Sequence, residues 1–578
     1  MNYPTIPTRV ASRQMVDTFR GYNHNLKLSD GEFFNMKNMT SDFYPVLSPR
    51  EKRGLWATKP NITGMIGKEK LCYTEGSEFV IGEDRYEMGL SAEEKQLTSM
   101  GAYVIIMPDR KYINTAQPED RGSIENTVTT SGEVSFSLSN AEGDKYEGAT
   151  VSDTAPESPQ NNALWIDTGT KPHGLKKYSA ASSQWVSIPS TYVRIDAEGI
   201  GNGFSRFDGV SITGVESPEL QDLNASMVIW GVGEDFVLVQ GILKEAASQQ
   251  NPITLERKMP EMDFIIESDN RLWGCRYGLN RHGDVVNEIY ASKLGDFKNW
   301  ECFLGISTDS YMASVGTDGP FTGAIAHSGY PLFFKENCFH KVYGSMPANF
   351  QIQTTACRGV QQGGHKSMAI VNEVLYYKAA SAVCAYDGSL PAEISYCLGN
   401  ERYSDAVGGG FGSKYYISMT DMEGKRHLFV WDAGKKLWHR EDDLNAAQFA
   451  AHGGELYARE KDTGRVLAMI RGDGSGEKDF SWMVETGEIG INSPDQKYIS
   501  QIIMRLSLES GTELRVYARY DFSEEWEPLF ALRSTNLRSY DIPVRPKRCD
   551  FMKLRIEGDG PGKIYSITKK TLQGSAKV

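Results

Sequence analysis

No run of about 18 apolar residues occurs in this 578-residue chain, so no segment has the length and hydropathy of a membrane-spanning helix. The opening stretch MNYPTIPTRVASRQ has no apolar core of the kind a secretory leader needs. The expectation is a protein made in a reducing cytosol, with no membrane span. Helix signals are nearly as scarce; the best short stretches are residues 91–97 and 243–249. The eight cysteines, Cys72, Cys275, Cys302, Cys338, Cys357, Cys384, Cys397 and Cys549, form no C-x-x-C pair. That argues against a zinc ribbon or a dense disulfide framework and leaves free thiols buried in apolar runs. The nine histidines are scattered, with no pair at ligand spacing, so neither a metal nor a cofactor is expected.

Catalytic signatures are missing too. There is no H-E-x-x-H, no G-x-x-x-x-G-K-[ST], no G-x-S-x-G and no EF-hand loop. Carboxylates pair by density alone, as in Asp263 with Glu267 or the run from Glu441 to Asp443, and nothing marks such a pair as facing across a glycosidase cleft. No catalytic residue is expected, and the chain is expected not to be an enzyme. The glycine run GGGFG at 408–412 precedes a strand and reads as a strand bend, because phosphate cradles open a helix. Residues 558–563 read as a hairpin turn, and Arg471, Gly472 and Asp473 as a polar turn. Basic residues fall short of acidic ones, 62 against 75, for a net charge of −13. A dedicated duplex-binding surface, which neutralises phosphates with clustered Lys and Arg, is thereby disfavoured. A surface that lets nucleic acid pass without holding it is not.

What the chain has is aromatics and glycine: 11% aromatic residues, 28 Tyr and 57 Gly, a composition that suits pleated surfaces joined by tight turns. Its length calls for two to four domains. The best-formed unit runs over residues 270–303, with strands at 271–276 and 288–294, a charged loop at 279–286 and a Gly-Asp-Phe turn ending at Trp300. Variants of it recur, and Leu272, Leu332, Leu375, Tyr416 and Leu456 hold corresponding positions at spacings of roughly 40 to 60 residues. Small-residue runs such as GAIA at 323–326, MAI at 368–370 and FAA at 449–451 supply a further strand that fits a crowded axis. Short strands at that period point to a β-propeller of about seven blades; two stacked β-sandwiches are the rival.

The expected fold is therefore all-β: a β-propeller with an inserted small β-domain region and a C-terminal β-sandwich. The expected divisions are 1–59 as an extended N-terminal segment, 60–115 as the first blades, 116–258 as the insertion, 259–475 as the remaining blades and 476–578 as the sandwich. Within the insertion, Trp165, Tyr178 and Trp185 are candidates for glycan contact, since exposed aromatic faces stack on sugar rings. The competing reading makes them the small core of a mini-domain.

Three blocks together resemble the β-propeller structural proteins of tailed bacteriophages, of the nozzle or DNA-stabilisation type. One is the segment 19–50, with Gly21, Asn23, Glu32, Asn38 and Arg50. Another is the blade series, with NRLW at 270–273, IYAS at 289–292, DFKNW at 296–300 and YDG at 386–388. The last is the C-terminal block with RPKRCD at 545–550, KLRI at 553–556 and GDG at 558–560. The inserted LWIDTG and LKKYSAASSQWVSI stretches are similar to small β-modules of phage tail and receptor-binding proteins. The resemblance implies a virion protein, made in the host cytoplasm. It would form a homo-oligomeric ring at the tail or head–tail channel, with other tail or head–tail proteins as partners and DNA in transient passage. A host-surface glycan is the partner under the alternative of a receptor-recognition protein.

Overall fold

The computed structural model describes residues 11–279, 283–491 and 496–573. Among the described residues seven four-stranded meandering sheets recur, over residues 62–87, 96–123, 264–314, 323–356, 369–393, 404–440 and 446–468. The seventh takes its fourth strand, Gly54–Thr58, from far upstream, paired antiparallel with Arg465–Ala468. With an inserted β region and a C-terminal sandwich, the fold is all-β and of the β-propeller class. Two compact units divide it. One holds residues 1–94, 334–339 and 355–578, and the other holds residues 95–333 and 340–354.

The blades form because each sheet is apolar on both faces and buries them against a neighbour. In the first unit, the innermost strands Ile62–Gly67, Ala446–His452, Ser404–Phe411 and Ala369–Val371 lie side by side in that order. Ile62, Met65, Leu71 and Tyr73 of the first blade meet Ala450 and Val466 of the seventh. Tyr416, Leu428 and Val430 of the sixth meet Leu444, Leu456 and Leu467 on the other side. Each such buried Leu, Ile, Val or Met side chain contributes about 2 kcal/mol. Small residues on the inner strands let backbones come close: a Cβ on Gly409 would sit 2.5 Å from Phe449 Cβ, and one on Gly410 would sit 2.6 Å from Val371 Cγ2. The glycine run at 408–410 lies within the strand Ser404–Phe411, and close inter-blade approach, more than a bend, accounts for it.

In the second unit, alternation along one strand serves two interfaces. Leu272 packs with Ile105, Phe297 and Trp300, towards the second blade. Trp273, pointing to the opposite face, packs with Phe333 and Val342 of the fourth. Of the loop expected at 279–286, residues 280–282 lie outside the described residues, while Leu279 and Val285 at its flanks are exposed. The insertion follows the second blade. Its eight-stranded sheet runs from Asn126–Thr129 to Thr254–Arg257, and a separate four-stranded sheet is made of Thr150–Ser152, Leu164–Asp167, Gly174–Ser179 and Gln184–Ser187.

The C-terminal sandwich is built on a 24-residue strand, Lys497–Tyr520. Its first half pairs with Gly562–Gln573 and its second half with Met552–Asp559, while Glu527–Ile542 runs along the other edge of both. Register shifts between Leu508 and Glu513 mark where the strand passes from one layer to the other. Ala11–Val16 and Glu32–Lys37 extend the same sheet, so the N-terminal segment is part of it. The two helix candidates are not helical: residues 91–95 are irregular before the strand Gln96–Met100, and 243–246 lead into Ala247–Gln249. Both stretches are too short to repay helix nucleation against sheet pairing. Among the described residues the only helical pieces are four short 3-10 turns. Among the described residues no helix is long and apolar enough to cross a membrane.

Candidate functional site

Two constellations hold side chains beyond ordinary blade packing. The first is a charge clamp in the first unit, where the N-terminal segment, the end of the sixth blade and the lead into the sandwich meet. Pro49 ends a short pairing of Ser48–Pro49 with Met39–Thr40, and this aims Arg50 and Arg53 inward. Arg53 donates to Glu441 at 2.6 Å and to Asp442 at 2.7 and 3.0 Å, and its backbone N–H donates to Glu477 at 2.9 Å. Arg50 grips Glu477 with two bonds of 2.7 and 2.9 Å, reaches Asp442 at 3.0 Å, and lies over the Phe480 ring. The Arg53 side chain is 2% exposed.

Burial on its own would raise the Asp442 carboxyl, but Arg53 and Arg50 outweigh it and bring the pKa to about 2. Burial likewise works to lower the Arg53 pKa; Asp442, Glu441 and Glu477 overcome it and raise it. Asn38, in the left-handed conformation at φ 56°, completes the clamp. Its amide donates to the Ser481 carbonyl and accepts from Arg50 Nε, and its backbone N–H donates to the Glu441 carbonyl.

Other residues of the same segment serve the same fixation. Gly21, at φ 85°, lies so close to the Trp438 carbonyl that a Cβ would overlap it. Asn23 is buried and its side chain accepts from Asn25. Gly21 and Glu32 pair across a short parallel bridge. Of the clamp residues, Arg53 and Glu477 carry no mark in the sequence, whereas the run from Glu441 to Asp443 stands out there only as carboxylates that pair by density. Of the carboxylate pairs considered, Glu441 and Asp442 are consumed by the clamp. Asp263 is engaged by Arg276 and by the Tyr277 N–H, and Glu267 by the Asn270 N–H.

The second constellation is aromatic. Trp165 lies opposite Lys176, and Tyr178 opposite Trp185, so all four side chains share one face of the small four-stranded sheet. The opposite face, through Ile166 and Leu175, packs into the core of the insertion. Trp185 stands at the centre of the aromatic group, 5.3 Å from each of the Trp165 and Tyr178 rings and edge-on to both. Trp165 is 6% exposed, donates through Nε1 to the Ser152 carbonyl, and is covered by the Lys176 ammonium at 4.7 Å. Tyr178 and Trp185 are half-exposed. The three residues singled out by sequence thus stand together, one as the buried base and two at the surface. Among the described residues no group of three or more His, Cys, Asp or Glu could hold a metal ion, and all eight cysteines are free thiols.

No family model matches the chain, and no curated protein matches it. Solved structures do. One is an exo-β-1,3-galactanase from Phanerochaete chrysosporium with galactose, 8% identical, TM-score 0.20, covering 53% of this chain and 94% of that one. Another is an engineered GH43 glycoside hydrolase with endo-xylanase and exo-arabinofuranosidase activity, 8% identical, TM-score 0.19, covering 54% and 96%. A further match is the extracellular domain of a putative one-component system from B. thetaiotaomicron, 8% identical, TM-score 0.20, covering 91% and 97%. The expectation that the chain is not an enzyme is corrected by these matches, because glycoside hydrolases stand among them. At such identities and TM-scores the likeness supplies no activity, substrate or catalytic residue in its place.

Proposed function

We propose that the chain is a structural protein of a tailed-bacteriophage virion. In this reading it is a propeller subunit in a ring of like copies, at the tail or head–tail channel through which DNA leaves. The observation that supports this reading most is the clamp. Gly21, Asn38 and Arg50, residues of the block that resembles phage propeller proteins, are spent on fixing the N-terminal segment to a blade and to the sandwich. A wall element that bears load needs its segments locked at distant points along the chain, and a buried, multiply bonded ion cluster does that. The net charge of −13 suits a wall past which nucleic acid moves without being retained. Mass spectrometry and cryo-electron microscopy of purified particles test the reading. The chain is expected in the particle, in a closed ring; a soluble monomer absent from particles counts against it.

A second reading, glycan recognition, is favoured by one observation: the aromatic face of the inserted sheet is turned away from the core that its other face fills. Saturable binding on a glycan array that is lost in Trp185→Ala supports it. Equal or absent binding in both proteins removes it.

A further inference from the structure

A cavity of about 420 Å3 opens in the first unit where the inner strands of its blades begin, at the N-terminal ends of Ile62–Gly67, Ser404–Phe411 and Ala446–His452. All three strands break register at this level. Thr63 is skipped between Ile62 and Gly64, Asp405 and Ala406 between Ser404 and Val407, and Ala447 between Ala446 and Gln448. Each skipped residue lines the cavity. Bulges re-aim side chains and take backbone groups out of the ladder, and they gather beside binding sites; three at one level on neighbouring strands make a built recess.

Its charged lining is uneven. Lys366, Arg426, Arg459 and Lys461 contribute four cations against the carboxylates of Glu94 and Asp405. Two of the cations are committed: Lys366 pairs with Glu94, and Arg426 donates to the Asp405 carbonyl at 2.9 Å with its carboxylate at 3.8 Å. The other two are not. Among the described residues neither Arg459 nor Lys461 forms an ion pair, and the buried Nε of Arg459 has no hydrogen-bond partner. Burial lowers the Arg459 pKa, with Glu94 working the other way. An unpartnered guanidinium nitrogen out of water is costly unless an acceptor enters. His365 adds no charge near neutrality, because burial and the neighbouring Lys366 lower its pKa, against Glu94.

We propose that this recess binds a phosphate monoester on a group of about monosaccharide size, with Arg459 gripping two phosphate oxygens and Lys461 pairing with the remaining charge. Two uncommitted cations match a dianion, and the planar guanidinium fork suits phosphate oxygens better than an ammonium does. The recess is a half-open pocket of about 420 Å3, within the range of small-molecule sites. A nucleic-acid track needs a basic groove continued over several nucleotides, whereas only two of the cations lining this recess are uncommitted. The proposal stands independently of the virion reading.

The test is calorimetric titration of the full chain at low salt with inorganic phosphate, glucose 6-phosphate and a dT10 oligonucleotide. The wild type, Arg459→Gln and Lys461→Gln are compared. Lys461 is exposed, so Lys461→Gln leaves the fold intact even if Arg459→Gln does not. Saturable one-to-one binding of glucose 6-phosphate, weakened at least tenfold in Lys461→Gln, is expected. No saturable binding, or binding unchanged in Lys461→Gln, overturns the proposal. Tighter binding of dT10 with the same sensitivity also overturns it, in favour of a nucleic-acid contact.

Discussion

Arg53 meets Asp442 fork to fork, one terminal nitrogen at 2.7 Å from one carboxylate oxygen and the other at 3.0 Å from its partner. The two residues stand 389 positions apart in the chain, yet their contact fixes the N-terminal segment against the end of the sixth blade. Arg53→Met would leave the buried Glu441 and the partly buried Asp442 and Glu477 with one guanidinium between them. Breaking a buried pair in this way costs about 3–5 kcal/mol. Chemical denaturation should show that loss, and limited proteolysis should open the chain first near residue 53.

Acid should weaken the protein in two stages. His439 is buried, with neither ring nitrogen hydrogen-bonded, among Lys414, Asp42, Asp432, Lys435 and Glu441. Burial, helped by Lys414, lowers its pKa to about 3. The unfolded chain takes up this proton near pH 6.5 and the folded chain does not, so stability falls as pH drops from about 6.5 towards 3, by up to about 1.4 kcal/mol per pH unit. Asp442, held at about 2, adds a contribution that is present above the ordinary carboxylate range and is lost between about pH 4 and 2. Denaturation midpoints measured against pH should show both stages, and His439→Leu should shrink the first, to which His365 and His427, also lowered by burial, contribute, while leaving the second.

Gly409→Ala places a Cβ 2.5 Å from Phe449 Cβ, between the inner strands of the sixth and seventh blades. Neither backbone can retreat without losing blade contacts. A destabilisation of about 1–3 kcal/mol is expected, and Gly409→Ala with Phe449→Gly, which removes the opposing Cβ, should recover part of it in a double-mutant cycle.

The two tryptophans of the insertion should behave differently. Trp165→Ala removes a buried base with a backbone hydrogen bond and should destabilise the insertion by about 3–5 kcal/mol. Trp185→Ala, at the surface, should lower stability far less, so any loss of glycan binding reads directly as loss of contact. Circular dichroism melts of the two variants separate these effects.

The propeller was legible because a blade writes itself locally: small residues at 323–326 and 449–451 for the inner strand, and aromatics such as Tyr415 and Tyr416 for the next. The clamp was not legible. Arg53 and Glu477 lie 424 positions apart, and each sits in a run whose composition is that of solvated surface. The recess at Arg459 was equally hidden, because bulges at Thr63, Asp405 and Ala447 arise from how neighbouring strands meet and leave no signature in short stretches of sequence. The aromatic trio lay between these cases: the residues stood out, while the face they share depended on the register of Gly174–Ser179 with Gln184–Ser187.

The most direct test of the virion reading is cryo-electron microscopy of purified tailed-phage particles whose mass spectrum contains this chain. A closed ring of propeller subunits around the tail or head–tail channel is the predicted result. Particles that lack the chain, with the protein recovered only as a soluble monomer, would contradict it.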